Sequence, residues 1–204
     1  MEKILSKMPS PKFGNWLKQS AEDYAAARCC LINGMFPGFV LAQQAVEKTL
    51  KAYIQIIDPD WKASKKSGVL DDVTFSHDLL MYAQKVDKHY PSLKLQDNFG
   101  SLLELLSKCF EGKYPNGKSH PKIRSTSSLL EIDCFLVPLL KDIPIAAEVR
   151  VRTGIYPALW SSAGVDDRSP CPEWVWLMKG NVVLQGCISE MVSEIRREIP
   201  YRTS

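Results

Sequence analysis

The feature that most restricts this chain is a helical period in its apolar residues, and it is clearest in "LAQQAVEKTLKAYIQII", residues 41–57. At about 100° per residue, Ala42, Val46, Leu50, Tyr53 and Ile57 fall on one stripe, the spacing of a buried helix face. Strands alternate every second residue and cannot present that stripe to a core. Gln44, Lys48, Lys51 and Gln55 form a second stripe nearly opposite. Glu47 lies beside it and is placed to pair with Lys51 at i, i+4. Leu41, Ala45 and Ala52 make a shoulder between the two, so apolar or small residues cover more than half the circumference. Such a helix leaves little water for its polar stripe. Either that stripe is a solvated face or it holds a ligand.

The same period recurs along the chain. Residues 15–33, "NWLKQSAEDYAAARCCLIN", are Ala-rich with Leu17, Ala21, Tyr24 and Leu31 near one stripe, and Gly34 stands where a C-terminal cap belongs. A short connection, "GMFPG", then predicts a helical hairpin. After a polar loop, Ser76 is a candidate N-cap for a helix to about Lys88, with Asp78 favourable at the positive helix end. A further helix is expected over 98–110. Ser128 and Glu131 fit a capping box for the next, which Pro138 and Pro144 should kink or divide. Leu184, Ile188, Met191, Ile195 and Ile199 step along one face of a closing helix. Only "WVWLM" competes as a strand. The expected fold is all-α, an antiparallel helical bundle of four to five main helices with long loops.

Bulk properties narrow the function classes. The net charge of +3 is far from the footprint of a dedicated DNA binder, although a local anionic ligand fits it. No apolar run reaches the length of a membrane span, and the first residues lack a secretory apolar core, so a cytoplasmic protein is expected. The six cysteines form no C-x-x-C pair and only three histidines accompany them, so no metal site is expected. All six are read as reduced thiols.

"FVLAQQAVEKTLKAYI" followed by "SHDLL" resembles the HEPN domain, a family of helical bundles. Gln44, Glu47, Lys48 and the Lys51-Ala52 pair stand where that family's second-helix pattern puts them. Trp16, Asp23 and Tyr24 on the first helix suit it, as do His77 and Asp78 at the start of the third. The family often carries an Arg-Tyr-Pro signature before its final helix. Both "GKYPNG", with Tyr114-Pro115, and "VRVRTGIYPALW", with Tyr156-Pro157, are candidates; the second has the arginines. On that match a single domain covers 13–199 behind a loose arm, 1–12; on the other, a core of 13–143 carries a C-terminal extension, 144–204.

The resemblance implies either a metal-independent ribonuclease using an R-x4–6-H motif or a non-nucleolytic protein that binds nucleotides or RNA. Non-nucleolytic members accompany a small nucleotidyltransferase, and toxin–antitoxin and antiviral defence systems use the family. Homodimers are the usual state. The nuclease needs an arginine to neutralise phosphate and a histidine to move a proton. None of the eight arginines is followed by a histidine at that spacing. Arg152 with Tyr156, or His120 in the Pro- and Gly-rich loop after Lys113, would have to substitute, and a tyrosine is a poor base at neutral pH.

The leading expectation is therefore a non-catalytic protein holding a nucleotide or RNA phosphate through Gln44, Lys48, Lys51, Arg150 and Arg152, with no cofactor beyond such a nucleotide. Lys48 and Lys51, one turn apart, suit a di- or triphosphate, and the arginines add bidentate contacts if their helix faces the second one. Arg150 and Arg152 equally suit a helix C-terminal dipole. Glu47, His77, Asp78 and Tyr156 are structural residues or parts of the site. Trp160, Trp174 and Trp176 are expected to pack on the bundle or a dimer partner. A diverged ribonuclease and a purely structural interaction subunit are the alternatives.

Overall fold

The computed structural model describes residues 11–59, 61, 78–111, 125–165 and 172–199, and every regular element among them is helical. The long helices are α1 (Pro11–Ile32), α2 (Pro37–Ile57), α3 (Leu79–His89), α4 (Leu95–Glu111) and α5 (Ser125–Lys141). One turn of helix, α6 (Ala147–Arg150), and a 3-10 turn, Tyr156–Leu159, lead to α7 (Pro172–Met178) and the closing α8 (Val182–Glu198). The segment 174–178 that competed as a strand is thus the body of α7.

α1 and α2 form the tightest pair. Gly34 takes a left-handed φ of 70°, which lets the Met35 N–H reach back to Cys30 O at 2.8 Å and ends α1. Pro37, with no amide hydrogen to leave unsatisfied, opens α2. Gly38 then lies against Leu31, while further along Ser20 bonds Ala45 O at 2.8 Å and meets the Thr49 hydroxyl at 2.7 Å. Contacts that pair early α1 with late α2 show the two running in opposite directions. Small residues at these contacts, Ser20 against Ala45 and Gly38 against Ala27, permit the close approach.

Four helix starts differ from the sequence expectation, beginning with α1, which starts at Pro11 rather than residue 15. Ser76 lies outside the described residues; the N-cap of α3 is Asp78, whose carboxylate accepts from Leu80 N at 2.9 Å and Met81 N at 3.4 Å. The two oxygens of a carboxylate suit that place, since the first turn of a helix leaves its amide hydrogens without partners. α5 begins at Ser125, so Ser128 and Glu131 are interior residues and not a capping box. α4 starts at Leu95 rather than residue 98 because Asp87, from α3, supplies its cap. Pro138 is accommodated inside α5, on its exposed side, and the helix stops before Pro144.

A single buried cluster runs through these elements, including Leu17, Tyr24, Leu50, Ala83, Leu103, Leu136, Leu159, Met191 and Ile195. Trp160 and Trp174 are half-buried and pack against it. Across its middle lies a polar clamp. Arg28 and Asp133, with side-chain exposures of 0% and 3%, form an ion pair between α1 and α5. Tyr24 donates to the other Asp133 oxygen at 2.7 Å, and Asn181 donates to Tyr24 at 2.9 Å. Arg28 also donates to Trp176 O and Lys179 O, so it satisfies the carbonyl end of α7. Burial pushes the Asp133 carboxyl up from its ordinary value, while the Arg28 and Tyr24 hydrogen bonds pull against that rise.

Candidate functional site

The polar stripe of α2 is not a solvated face. Glu47 and Gln55 are buried at 8% and 5% exposure, and the Gln55 amide donates to Pro59 O at 3.0 Å, closing the C-terminal end of the helix. Lys48 and Lys51 retain side-chain exposures of 25% and 17%. Each already has a carboxylate: Lys48 pairs with Asp23 across the α1–α2 seam, and Lys51 pairs with Glu47 one turn back. Gln44 stands half-buried one turn before Lys48.

Behind the lysines is a ladder at i, i+4, i+8 that joins Gln43, Glu47 and Lys51. The Gln43 amide donates to the second Glu47 oxygen at 2.8 Å, and Lys51 lies 5.3 Å from the centre of the Tyr82 ring on α3. Burial first, and then the Glu47 charge, push the Tyr82 hydroxyl well above the ordinary phenol range. With its nitrogen committed to Glu47, Gln43 has a buried carbonyl oxygen with no partner among the described residues. Gln43 was not among the sequence candidates because it lies between the apolar and polar stripes; its spacing from Glu47 was the available signal. Tyr82 could be placed only by the packing of α3 on α2.

At the head of α3, Asp78 caps as described and Leu79 N donates to the Ser107 hydroxyl of α4 at 3.4 Å. His77 lies outside the described residues, as do His120 and the Tyr114-Pro115 segment.

Arg150 and Tyr156 meet in a different part of the molecule. Arg150 pairs with Glu194 of α8, and the Tyr156 hydroxyl donates to the other oxygen of that carboxylate. The same two side chains reach the end of α5, Arg150 to Ile143 O at 3.4 Å and Tyr156 to Lys141 O at 3.3 Å. Tyr53 of α2 donates to Leu139 O at 3.0 Å, so Tyr53 and Tyr156 both reach carbonyls of the last turn of α5. Arg150 stands in the last turn of α6 and reaches the Ile143 carbonyl just beyond α5. Burial works against its charge, and Glu194 more than offsets it. Burial, followed by Glu194, drives the Tyr156 hydroxyl far above the ordinary phenol range. A hydroxyl so held keeps its proton and is a poor general base.

Arg152 lies past the end of α6 and is exposed. α5 packs on the Tyr53 side of α2, away from the Lys48–Lys51 side, which faces α1 and α3. No contact among the described residues joins Arg150 or Arg152 to Lys48 or Lys51.

Among the described residues no group of His, Cys, Asp and Glu could hold a metal ion, five cysteines are free thiols, and no helix is long and apolar enough to cross a membrane. Comparison of the chain with protein-family models, with curated proteins and with solved structures gives no match.

Proposed function

We propose that this chain is a HEPN-like bundle that acts by binding rather than by reaction, holding a nucleotide or RNA phosphate on the α1–α2–α3 seam. The observation that supports this reading is the pair Lys48 and Lys51, one turn apart and half-buried rather than fully enclosed. A phosphate there would displace Asp23 or Glu47 from its lysine, exchanging one anion for another that carries more charge and more acceptor oxygens. Gln44 is one turn from Lys48 and available to a ligand on the same row. In the proposal the protein works as a cytoplasmic homodimer, accessory to a nucleotidyltransferase or to a toxin–antitoxin or defence system.

Catalysis by the ribonuclease route has little support. Tyr156 is engaged as a donor to Glu194, and Arg150 is engaged by the same carboxylate. Arg152 has no histidine at the family spacing.

One observation favours the second reading, an interaction subunit that binds no phosphate: each candidate lysine is already neutralised within the chain. Thermal melting separates the two. ATP, GTP, their Mg²⁺ complexes or a short RNA should raise the melting temperature if the seam binds them, since a ligand that prefers the native state stabilises it by mass action. Lys48→Ala/Lys51→Ala, still folded, should abolish the shift. No shift with any nucleotide or with the RNA would remove the phosphate reading and leave the interaction subunit.

A further inference from the structure

The polar row of α2 divides between two neighbours. Lys48 reaches α1, where it pairs with Asp23, and Lys51 reaches α3, where it lies 5.3 Å from the centre of the Tyr82 ring. Positions three apart on a helix stand about 60° apart around it, enough to send the two side chains to different sides.

The carboxylates that neutralise the two lysines are held differently. Glu47 is 8% exposed, accepts from the Gln43 amide at 2.8 Å on one oxygen and takes Lys51 on the other. Drawing it off Lys51 disturbs both bonds at once. Asp23 is looser. Its side chain keeps 19% exposure, and among the described residues its carboxylate has one partner, Lys48. Lys48 is also the more open lysine, at 25% against 17%. The half-buried Gln44 lies one turn before it on the same row. An anion that enters the seam therefore displaces a single contact at Lys48, the one to Asp23.

That contact decides which anions can enter. Asp23 carries one negative charge and is attached to the chain, so a free ligand of equal charge pays an association cost that Asp23 does not. An internal phosphodiester of a nucleic acid has one charge and loses the exchange. A terminal phosphate carries close to two charges at neutral pH and offers three strong acceptor oxygens, so it wins.

We infer that Asp23 is a built-in competitor at Lys48, which admits the terminal phosphates of a free nucleotide and turns away the internal phosphodiesters of an RNA strand. The inference rests on the phosphate reading of the seam and narrows it. Lys48 and Gln44 meet the ligand, Asp23 sets the threshold, and the Gln43–Glu47–Lys51 ladder is the fixed part beside them.

Isothermal titration calorimetry of the full chain tests this with two probes, ATP and the hydroxyl-ended dinucleotide ApA, whose one phosphate is a phosphodiester. The wild type should bind ATP, and ApA roughly 10-fold more weakly or worse, the scale of one charge-assisted contact. Asp23→Asn keeps the shape of the side chain and removes the competing charge. It should tighten ATP binding by about 5-fold, the scale of one partly exposed ion pair, and raise ApA binding as well. Lys48→Ala should abolish binding of both. Glu47→Gln should lower the melting temperature and leave ATP no more tightly bound, because that carboxylate belongs to the ladder. A purely structural Asp23–Lys48 pair predicts the opposite for Asp23→Asn, a lower melting temperature with no gain in affinity. That result, or equal wild-type affinity for ATP and ApA, would overturn the competitor while leaving the seam a phosphate site. No binding of ATP by the wild type would overturn the phosphate reading itself, and this inference with it.

Discussion

Replacing Asp133 by leucine is the most informative perturbation of this fold. The substitution leaves the Arg28 guanidinium in the interior with two carbonyl acceptors, Trp176 O and Lys179 O, and no counter-charge. It also strips the buried Tyr24 hydroxyl of its acceptor. Breaking a desolvated pair by removing one partner costs about 3–5 kcal/mol, because the surviving charge is uncompensated. A native domain has only about 5–15 kcal/mol in total, so the variant should sit near the edge of folding. Arg28→Met alone should also destabilise, since it orphans both Asp133 and the α7 carbonyls. Arg28→Met/Asp133→Leu removes both charges and should recover part of the loss, leaving mainly the unbonded carbonyls, each costing about 1–3 kcal/mol. Urea unfolding followed by far-UV circular dichroism measures all four proteins, with an unchanged m-value as the check that the denatured state is comparable. If Asp133→Leu costs less than about 1 kcal/mol, or the two substitutions simply add, the pair is not the desolvated clamp described here.

Two further perturbations follow from the packing and from buried protons. Gly38→Ala should destabilise by about 1–3 kcal/mol in the same urea assay, since overpacking a tight contact forces the backbone to shift. The new Cβ would lie 2.7 Å from Leu31 Cγ and 3.0 Å from Ala27 O. Stability should also fall as pH rises past about 9, in a pH series of melting temperatures. Burial pushes the Cys109 thiol up to about 11 and raises the Tyr24, Tyr53, Tyr82 and Tyr156 hydroxyls above their ordinary range. The native state then keeps protons that the unfolded chain releases, so the stability present below that range is lost as pH climbs through it. A flat profile between pH 8 and 11 would show that these groups ionise freely in the fold.

The amino-acid sequence alone carried the helical class, because the period of apolar residues depends only on local geometry. It carried the α1–α2 hairpin through Gly34 and Pro37, and the Glu47–Lys51 pair through i, i+4 spacing. What it could not carry was the fate of polar residues on and beside the polar stripe. Gln43 and Gln55 look alike in sequence, yet one forms the base of a buried ladder and the other closes a helix end. Arg28 and Asp133 stand 105 residues apart, and no local rule pairs them. Arg150 and Tyr156 read as site residues by type, and both are engaged by one carboxylate, Glu194, because α8 is packed beside them. The same holds for Lys48, which Asp23 engages only once α1 lies on α2. Periodicity decides which side of each helix is buried; the packing of one helix on another decides which charges meet.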